Sequence, residues 1–386
     1  MKLYKHQAAF ITRNPDRALL VWETGTGKTI AACEWIKKRK HLLALVICPK
    51  AIIGKWERDL LTWGARADVV SRDGAKKLDL AIYDAIVIDE AQDFAAPLFS
   101  GGRSQRAQKI YEYVKEKRYP HILLLTATPI RSTAWNCHTL ACYLRTFWDV
   151  RAFRDKFFYL SQIFGRTHWE PMKGWRKDIR PYLESISDIV LAKDCADIPK
   201  QRHRVINIPW EAGQEDKLAA ELEEAYADGA SEWHARRRSE NGQAKYDALT
   251  ALLDGYRKAI VICYYRAQID QYAKLIGNER QVFVLHGGVR DQDAVIKAAR
   301  EADDCVFLLQ ASMGAGFDAS EFSVMIFASM SFKFVDDQQS LGRINRLNNL
   351  HENDYIYLLG GKCDTSVYRT VLAGNDFHPP AYLADK

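Results

Sequence analysis

Cysteine is sparse and unpaired in this sequence. There are eight in 386 residues, at 33, 48, 137, 142, 195, 263, 305 and 363, and no Cys-x-x-Cys. The nearest two, Cys137 and Cys142, have no cluster of further His or Cys beside them. Neither a zinc site nor a disulfide framework is expected, and a reducing compartment is the default. Long apolar runs are missing too: none reaches the roughly 18 residues of a membrane span, so no membrane partner is expected. The segment Met1–Gln7 lacks the apolar core of a secretory signal. A cytoplasmic location is therefore expected. Internal repeats, low-complexity tracts and nuclease-like motifs are also missing. What remains is an ordinary globular composition, 48% hydrophobic and 27% charged, which excludes a disordered chain. The length suits two domains of roughly 150–200 residues each. The net charge of +6 permits a polyanionic partner without demonstrating one.

The strongest local signal is early. Ala18-Leu19-Leu20-Val21-Trp22 is a strand-type run. It leads into Glu23-Thr24-Gly25-Thr26-Gly27-Lys28-Thr29, and Ile30–Ile36 continues as a helix. Strand, Gly-rich turn, Lys-Thr and helix make a P-loop. Gly25 and Gly27 let backbone N–H groups of the Thr24–Thr29 segment turn toward phosphate oxygens, and the helix start adds its positive dipole end. Lys28 is expected on the β- and γ-phosphates of ATP, and the Thr29 hydroxyl on Mg²⁺. The strict pattern has Gly where Trp22 stands.

A carboxylate is needed to hold the metal. The buried-strand run Ala85-Ile86-Val87-Ile88 ends in Asp89-Glu90-Ala91-Gln92. Asp89 is expected at the end of a parallel strand beside the P-loop strand, holding Mg²⁺, with Glu90 placed to polarise the attacking water. A third run, His121–Leu125, ends in Thr126-Ala127-Thr128-Pro129. Its small hydroxyl residues suit a hydrogen-bonded relay out of the nucleotide site.

Together these segments resemble motifs I, II and III of superfamily 2 helicases, and the resemblance extends over nearly the whole chain. Leu3-Tyr4-Lys5-His6-Gln7 looks like the Q-motif region, which makes Gln7 the candidate adenine reader. Cys48–Trp56 resembles motif Ia, whose loop touches the nucleic-acid backbone, so Lys50 and Lys55 are candidate contacts. Ala259–Tyr264 resembles motif IV and Leu285-His286-Gly287-Gly288 the short His-Gly segment. Val306–Asp318 resembles motif V, and Asp337–Arg346 resembles the Q-x-x-G-R-x-x-R of motif VI. The passage Ile189–Lys200 resembles the crossing between lobes in the Swi/Snf-type branch. Ala127 where that branch favours Gly, Gln92 for His, and Phe317-Asp318 for Leu-Asn leave the neighbouring branch-migration and repair translocases open.

The resemblance implies an α/β fold of two tandem RecA-like lobes, each a mainly parallel sheet flanked by helices, with the ATP site in the cleft between them. Lobe 1 is expected over 1–194 and lobe 2 over 195–386, with a helical lead-in at 211–258. Arg343 and Arg346 would serve as arginine fingers, and Gly316 and Asp318 would lie near the nucleotide. Thr128, His286, Ser312 and Gly314 would meet the nucleic acid. The implied activity is ATP-dependent translocation on duplex, forked or branched DNA by a monomeric motor. An RNA helicase and a non-catalytic DNA-binding scaffold are the alternatives.

Residues 131–182 stand apart. They hold ten Lys or Arg against four Asp or Glu, a surplus equal to that of the whole chain, and twelve aromatics. Basic residues interleaved with aromatics neutralise phosphates and offer stacking platforms. Arg166, Lys173, Arg176 and Lys177 are the expected DNA contacts. Packing of Phe153 and Phe157 into the core is the competing expectation. For Arg236-Arg237-Arg238 a solvated helix face is expected, with a phosphate contact as the alternative.

Overall fold

Uninterrupted apolar runs such as Ala85–Ile88 and Ile122–Leu125 have no polar face to offer solvent, so they require a sheet covered on both sides. The computed structural model describes residues 3–99, 104–130, 133–163, 166–195, 200–210, 213–227, 232–313, 317–345 and 352–374. The chain divides into two compact units, Met1–Ala196 and Asp197–Lys386.

The first unit contains β1 (Arg17–Trp22), β2 (Ala44–Cys48), β3 (Asp68–Ser71), β4 (Ala85–Asp89), β5 (His121–Thr126), β6 (Phe158–Ile163), β7 (Arg166–Pro171) and β8 (Asp188–Val190). Six of these form one parallel sheet in the order β3-β2-β4-β5-β1-β8. Period-2 alternation divides its core. Leu19, Ile86, Ile88, Ile122 and Leu124 join one cluster with the helices Gln105–Glu116, Trp135–Leu144 and Val150–Phe157. Leu20, Trp22, Val87, Leu123 and Leu125 join another with the helices Lys5–Arg13, Lys28–Lys37 and Ile53–Trp63. Strands β6 and β7 form a separate antiparallel hairpin, from Phe158 opposite Pro171 to Ile163 opposite Arg166.

The second unit contains β9 (Gln201–Asn207), β10 (Lys258–Cys263), β11 (Val282–Leu285), β12 (Cys305–Gln310), β13 (Val324–Phe327) and β14 (Asn353–Leu359). They form a parallel sheet in the order β11-β12-β10-β13-β14-β9. Alternation again splits the core: Ile260, Ile262, Phe307 and Leu309 face one cluster, and Ala259, Val261, Val306 and Leu308 the other. The lead-in consists of the helices Gln214–Ala227, Glu232–Ser239 and Gln243–Leu253.

The triplet 236–238 is neither a solvated face nor free to meet phosphate. Arg236 pairs with Glu232 and Arg238 with Glu221. Arg237 is fully buried, 3.1 Å from Asp364, and donates to the Met330 carbonyl at 2.6 Å. Buried Lys245 bonds the other oxygen of Asp364, and the Glu240 carboxylate accepts the N–H groups of Cys363 and Asp364. Burial alone would raise the Asp364 pKa, but Lys245 and Arg237 together hold it below the usual carboxylate value.

Candidate nucleotide and nucleic-acid sites

The turn after β1 is shaped by left-handed glycines, Gly25 at φ 84° and Gly27 at φ 82°, a conformation that costs side-chain-bearing residues strain. Gly27 caps the helix Lys28–Lys37. The Lys28 ammonium donates to the carbonyls of Trp22 at 2.6 Å and Glu23 at 3.1 Å, which curls the loop around it. Thr26 Oγ1 donates to Glu23 O at 2.7 Å, and Thr29 begins the helix beside Lys28. Outer contacts fix the loop. His6 Nε2 donates to Thr26 O at 2.8 Å and Gln7 Nε2 to Gly27 O at 3.2 Å, while Gln7 Oε1 accepts the Tyr4 N–H at 3.0 Å. Gln7 is fully buried. Both ends of its amide are engaged by the chain's own backbone, and it braces the phosphate loop.

Asp89 ends β4, but β4 is not the neighbour of β1, as expected; β5 lies between them. The inserted strand delivers Thr126 to the gap. Asp89 Oδ2 accepts from Trp56 Nε1 at 2.9 Å and Oδ1 from the Glu90 N–H at 3.0 Å. Burial raises the Asp89 pKa, and the Glu90 charge adds to the rise; Trp56 and Lys28 pull the other way. Glu90 sits in left-handed backbone, φ 54°, unusual for a residue with a side chain. Its carboxylate accepts from Gln92 Nε2 at 2.6 Å, Gln92 Oε1 accepts from Thr126 Oγ1 at 2.6 Å, and that oxygen accepts the Thr128 N–H at 2.9 Å. Gln92, Thr126 and Thr128 are all buried. A hydrogen-bonded chain thus joins the two strand ends, and its pivot is Gln92, a residue that the sequence marked only as a departure. Trp56 was missed as well, since nothing in its spacing announces a bond to Asp89.

Magnesium fits this donor set. Among the described residues no group of three or more His, Cys, Asp or Glu could hold a metal. One carboxylate and one hydroxyl are hard oxygen donors, suited to an ion that keeps its waters and takes its other ligands from phosphates.

The predicted nucleic-acid residues divide. Lys50 is exposed just past β2, Lys173 and Lys177 are exposed around the short helix Trp175–Asp178, and Ser312 is exposed after β12. Arg176 lies over the Trp175 ring at 4.9 Å. Lys55 is ion-paired to Asp59 within its helix. Arg166 starts β7. Thr128 is buried, and its N–H is taken by Thr126. His286 is also buried, and its Nδ1 accepts the Gly288 N–H at 3.0 Å, which braces a turn and leaves the ring proton on Nε2. Gly314, Gly316 and Arg346 lie outside the described residues. Asp318 accepts the Ser320 N–H at 3.0 Å.

Arg343 differs from expectation. Its guanidinium is buried, with Nε on Gln339 O at 3.0 Å and Nη1 on Phe317 O at 2.7 Å. Here it ties the motif V and motif VI segments of its own unit together. In 131–182 the aromatics split. Phe153 and Phe157 are core, whereas Tyr159 and Trp169 of the hairpin are exposed, with Arg154 4.3 Å over Trp169.

Residues 244–348 match the helicase conserved C-terminal domain, which assigns that stretch of the second unit to the helicases. No curated protein matches the chain. Among solved structures, the Hef helicase domain of Pyrococcus furiosus is similar over 95% of this chain and 97% of its own, at 13% identity and a TM-score of 0.55. The SWI2/SNF2 ATPase core of Sulfolobus solfataricus, solved in complex with double-stranded DNA, aligns over 97% of this chain and 91% of its own, at 16% identity and a TM-score of 0.42. The likeness to the Hef domain spans both units and shows the fold: tandem RecA-like lobes.

Proposed function

We propose that the chain is an ATP-driven motor of helicase superfamily 2, similar to the Swi/Snf-like branch. In this reading it works as a monomer and couples ATP hydrolysis to movement on duplex, forked or branched DNA. One observation carries it: a P-loop lysine and an Asp–Glu strand end, linked by hydrogen bonds to a Thr-Ala-Thr strand end, in a chain whose second unit holds a helicase C-terminal domain.

The residues perform recognisable tasks. Lys28 exchanges two carbonyl partners for phosphate oxygens, so the loop is already curled to phosphate dimensions. Thr29 and Asp89 would hold the magnesium ion that neutralises charge on the phosphates. Glu90, its oxygen fixed by Gln92, orients the attacking water and takes its proton. Arg343 and Arg346 are the proposed fingers; Arg343 would trade the Phe317 and Gln339 carbonyls for phosphate oxygens. Lys50, Lys173, Arg176 and Lys177, with the exposed hairpin aromatics, supply charge and stacking surface for DNA.

The test is the ATPase rate with single-stranded, duplex, forked and four-way-junction DNA and with RNA, each at two salt concentrations. Stimulation by duplex or branched DNA, abolished in Lys28→Ala, is expected. Stimulation by RNA alone would refute the DNA assignment. An unchanged rate in a folded Lys28→Ala chain would refute the motor.

A further inference from the structure

A second basic feature of the first unit lies outside 131–182. A cavity of about 520 Å³ opens where the chain leaves β2 and β3, rimmed by Lys50, Arg72, Lys77 and Arg106, with Asp73 as its carboxylate. Lys50 and Lys77 are exposed and have no ion pair among the described residues. Asp73 is shared between Lys76 at 2.9 Å and Arg106 at 2.8 Å. The rim therefore keeps a positive surplus and presents it to an anion.

Arg72 differs from the other three. Its Nη1 is bonded to Asp93, a nearly buried carboxylate in the turn that follows Glu90. The Asp93 N–H donates to the Glu90 carbonyl at 3.0 Å, closing the tight turn that holds Glu90 in left-handed backbone. On the side-chain route, Gln92 of the same turn pins the Glu90 carboxylate. Arg72 Nε is buried without an acceptor, while the side chain as a whole remains 26% exposed at the cavity. One side chain thus has its guanidinium on the hydrolytic turn and also lines the anion cavity, where part of it remains exposed. A guanidinium suits this bridge because its planar fork bonds two oxyanions at once, which a lysine ammonium does with far less directional control.

We propose that Arg72 is a positioning residue that bridges a backbone phosphate of the nucleic acid, bound in this cavity, to Asp93, and through the 90–93 turn sets the Glu90 carboxylate for hydrolysis. Lys50, Lys77 and Arg106 hold the strand; Arg72 reports its presence. The proposal rests on the reading of the chain as a nucleic-acid-stimulated ATPase. It adds a route by which stimulation reaches the carboxylate.

The experiment compares full-length native chain, Arg72→Ala, Arg72→Lys, Asp93→Asn and the double variant Lys77→Ala/Arg106→Ala. The ATPase is measured without nucleic acid and against rising duplex DNA, with circular dichroism as a folding control. Arg72→Ala and Asp93→Asn should each lower kcat at saturating DNA by about tenfold or more and the unstimulated rate by a clearly smaller factor, so that the fold-stimulation by DNA falls. Arg72→Lys should keep DNA affinity near native and recover kcat only in part. Lys77→Ala/Arg106→Ala should raise the DNA concentration for half-stimulation, keep kcat at saturation, and flatten the log–log salt slope by about two.

Loss of affinity alone in Arg72→Ala, with native kcat at saturation, would overturn the bridge. So would equal losses with and without DNA, the mark of a merely structural role, or stimulation of the native chain by inorganic phosphate alone. A native chain that no nucleic acid stimulates would instead sink the motor reading beneath it, so the two failures are distinguishable.

Discussion

Replacing Asp337 with Asn should stabilise the second unit more at pH 8 than at pH 5. Asp337 lies in the helix Phe334–Leu341, inside the motif VI segment, and is 3% exposed. Neither carboxylate oxygen accepts a hydrogen bond of normal geometry, although the Gln338 amide lies near. Burial, with the neighbouring Asp336 charge adding to it, pushes the Asp337 pKa from 3.8 to about 7. A rise of about three units is worth at most ~4 kcal/mol at about 1.36 kcal/mol per unit. Solvent relaxation around a buried charge lowers that ceiling, so about 2–4 kcal/mol is expected. The sign follows from proton counting. Between pH 4 and 7 the folded chain holds this proton and the unfolded chain does not. Stability therefore falls as pH rises through that window and stays low above it. Asn removes the titration, so the gap between variant and native chain should open from pH 5 to pH 8. Urea unfolding at pH 5, 6, 7 and 8, followed by far-UV circular dichroism, reads this directly, with the transition of the second unit as the reporter. Parallel stability curves for the two proteins across that range would show that Asp337 is ionised and solvated in the folded state, and the reasoning would fail.

Three further outcomes are expected. Gln92→Ala removes two buried hydrogen bonds, to Glu90 and from Thr126, and should lower kcat by about 10- to 100-fold with nucleotide affinity unchanged; a native kcat in steady-state assays would exclude the relay from catalysis. Trp56→Phe removes a bond that holds the Asp89 pKa down; burial and the Glu90 charge already raise that pKa to about 6 with the bond in place, and without it the pKa should rise further. The Mg²⁺ concentration for half-maximal ATPase should then rise more at pH 6 than at pH 8, and an equal rise at both would contradict it. Asp364→Asn leaves the buried Arg237 and Lys245 without their shared counter-ion and should cost about 3–5 kcal/mol in urea unfolding; a loss below about 1 kcal/mol would mean that water reaches the pair.

The strands of both sheets were legible because a run of apolar residues in a parallel strand carries its own length and period. The expected runs 18–22, 85–88 and 121–125 and the segment 259–264 lie within a residue or two of β1, β4, β5 and β10. β3 escaped notice because Asp68-Val69-Val70-Ser71 offers only two apolar residues. The β6–β7 hairpin escaped because Phe158–Ile163 and Arg166–Pro171 mix polar and apolar residues without a run of period 2. Long-range charge was the least legible. Nothing near Arg237 in sequence reveals Asp364, 127 residues away, so a buried ion pair read as a solvated helix face. Likewise Trp56 meets Asp89 across 33 residues and Arg72 meets Asp93 across two elements. Of these pairs only Trp56 and Asp89 lie in motif segments, and nothing in the sequence joins the partners of any of them.

Position 22 shows where motif matching and physical reading part. The strict P-loop pattern places Gly there, and this chain has Trp. Trp22 is the last residue of β1, and its indole is wholly buried in the core. It packs edge-on against Phe10 and His6, and its Nε1 donates to Asp188 at 2.9 Å. The loop uses only the backbone of this residue, whose carbonyl accepts the Lys28 ammonium at 2.6 Å. Glycine is required where φ is positive or where a Cβ would meet the ligand. Gly25 and Gly27 meet the first condition, whereas residue 22 is extended strand. The indole moreover locks β1 to β8 through Asp188, alongside the pairing of Trp22 with Val190. The departure from the pattern therefore leaves the phosphate loop intact and adds a bolt beneath it.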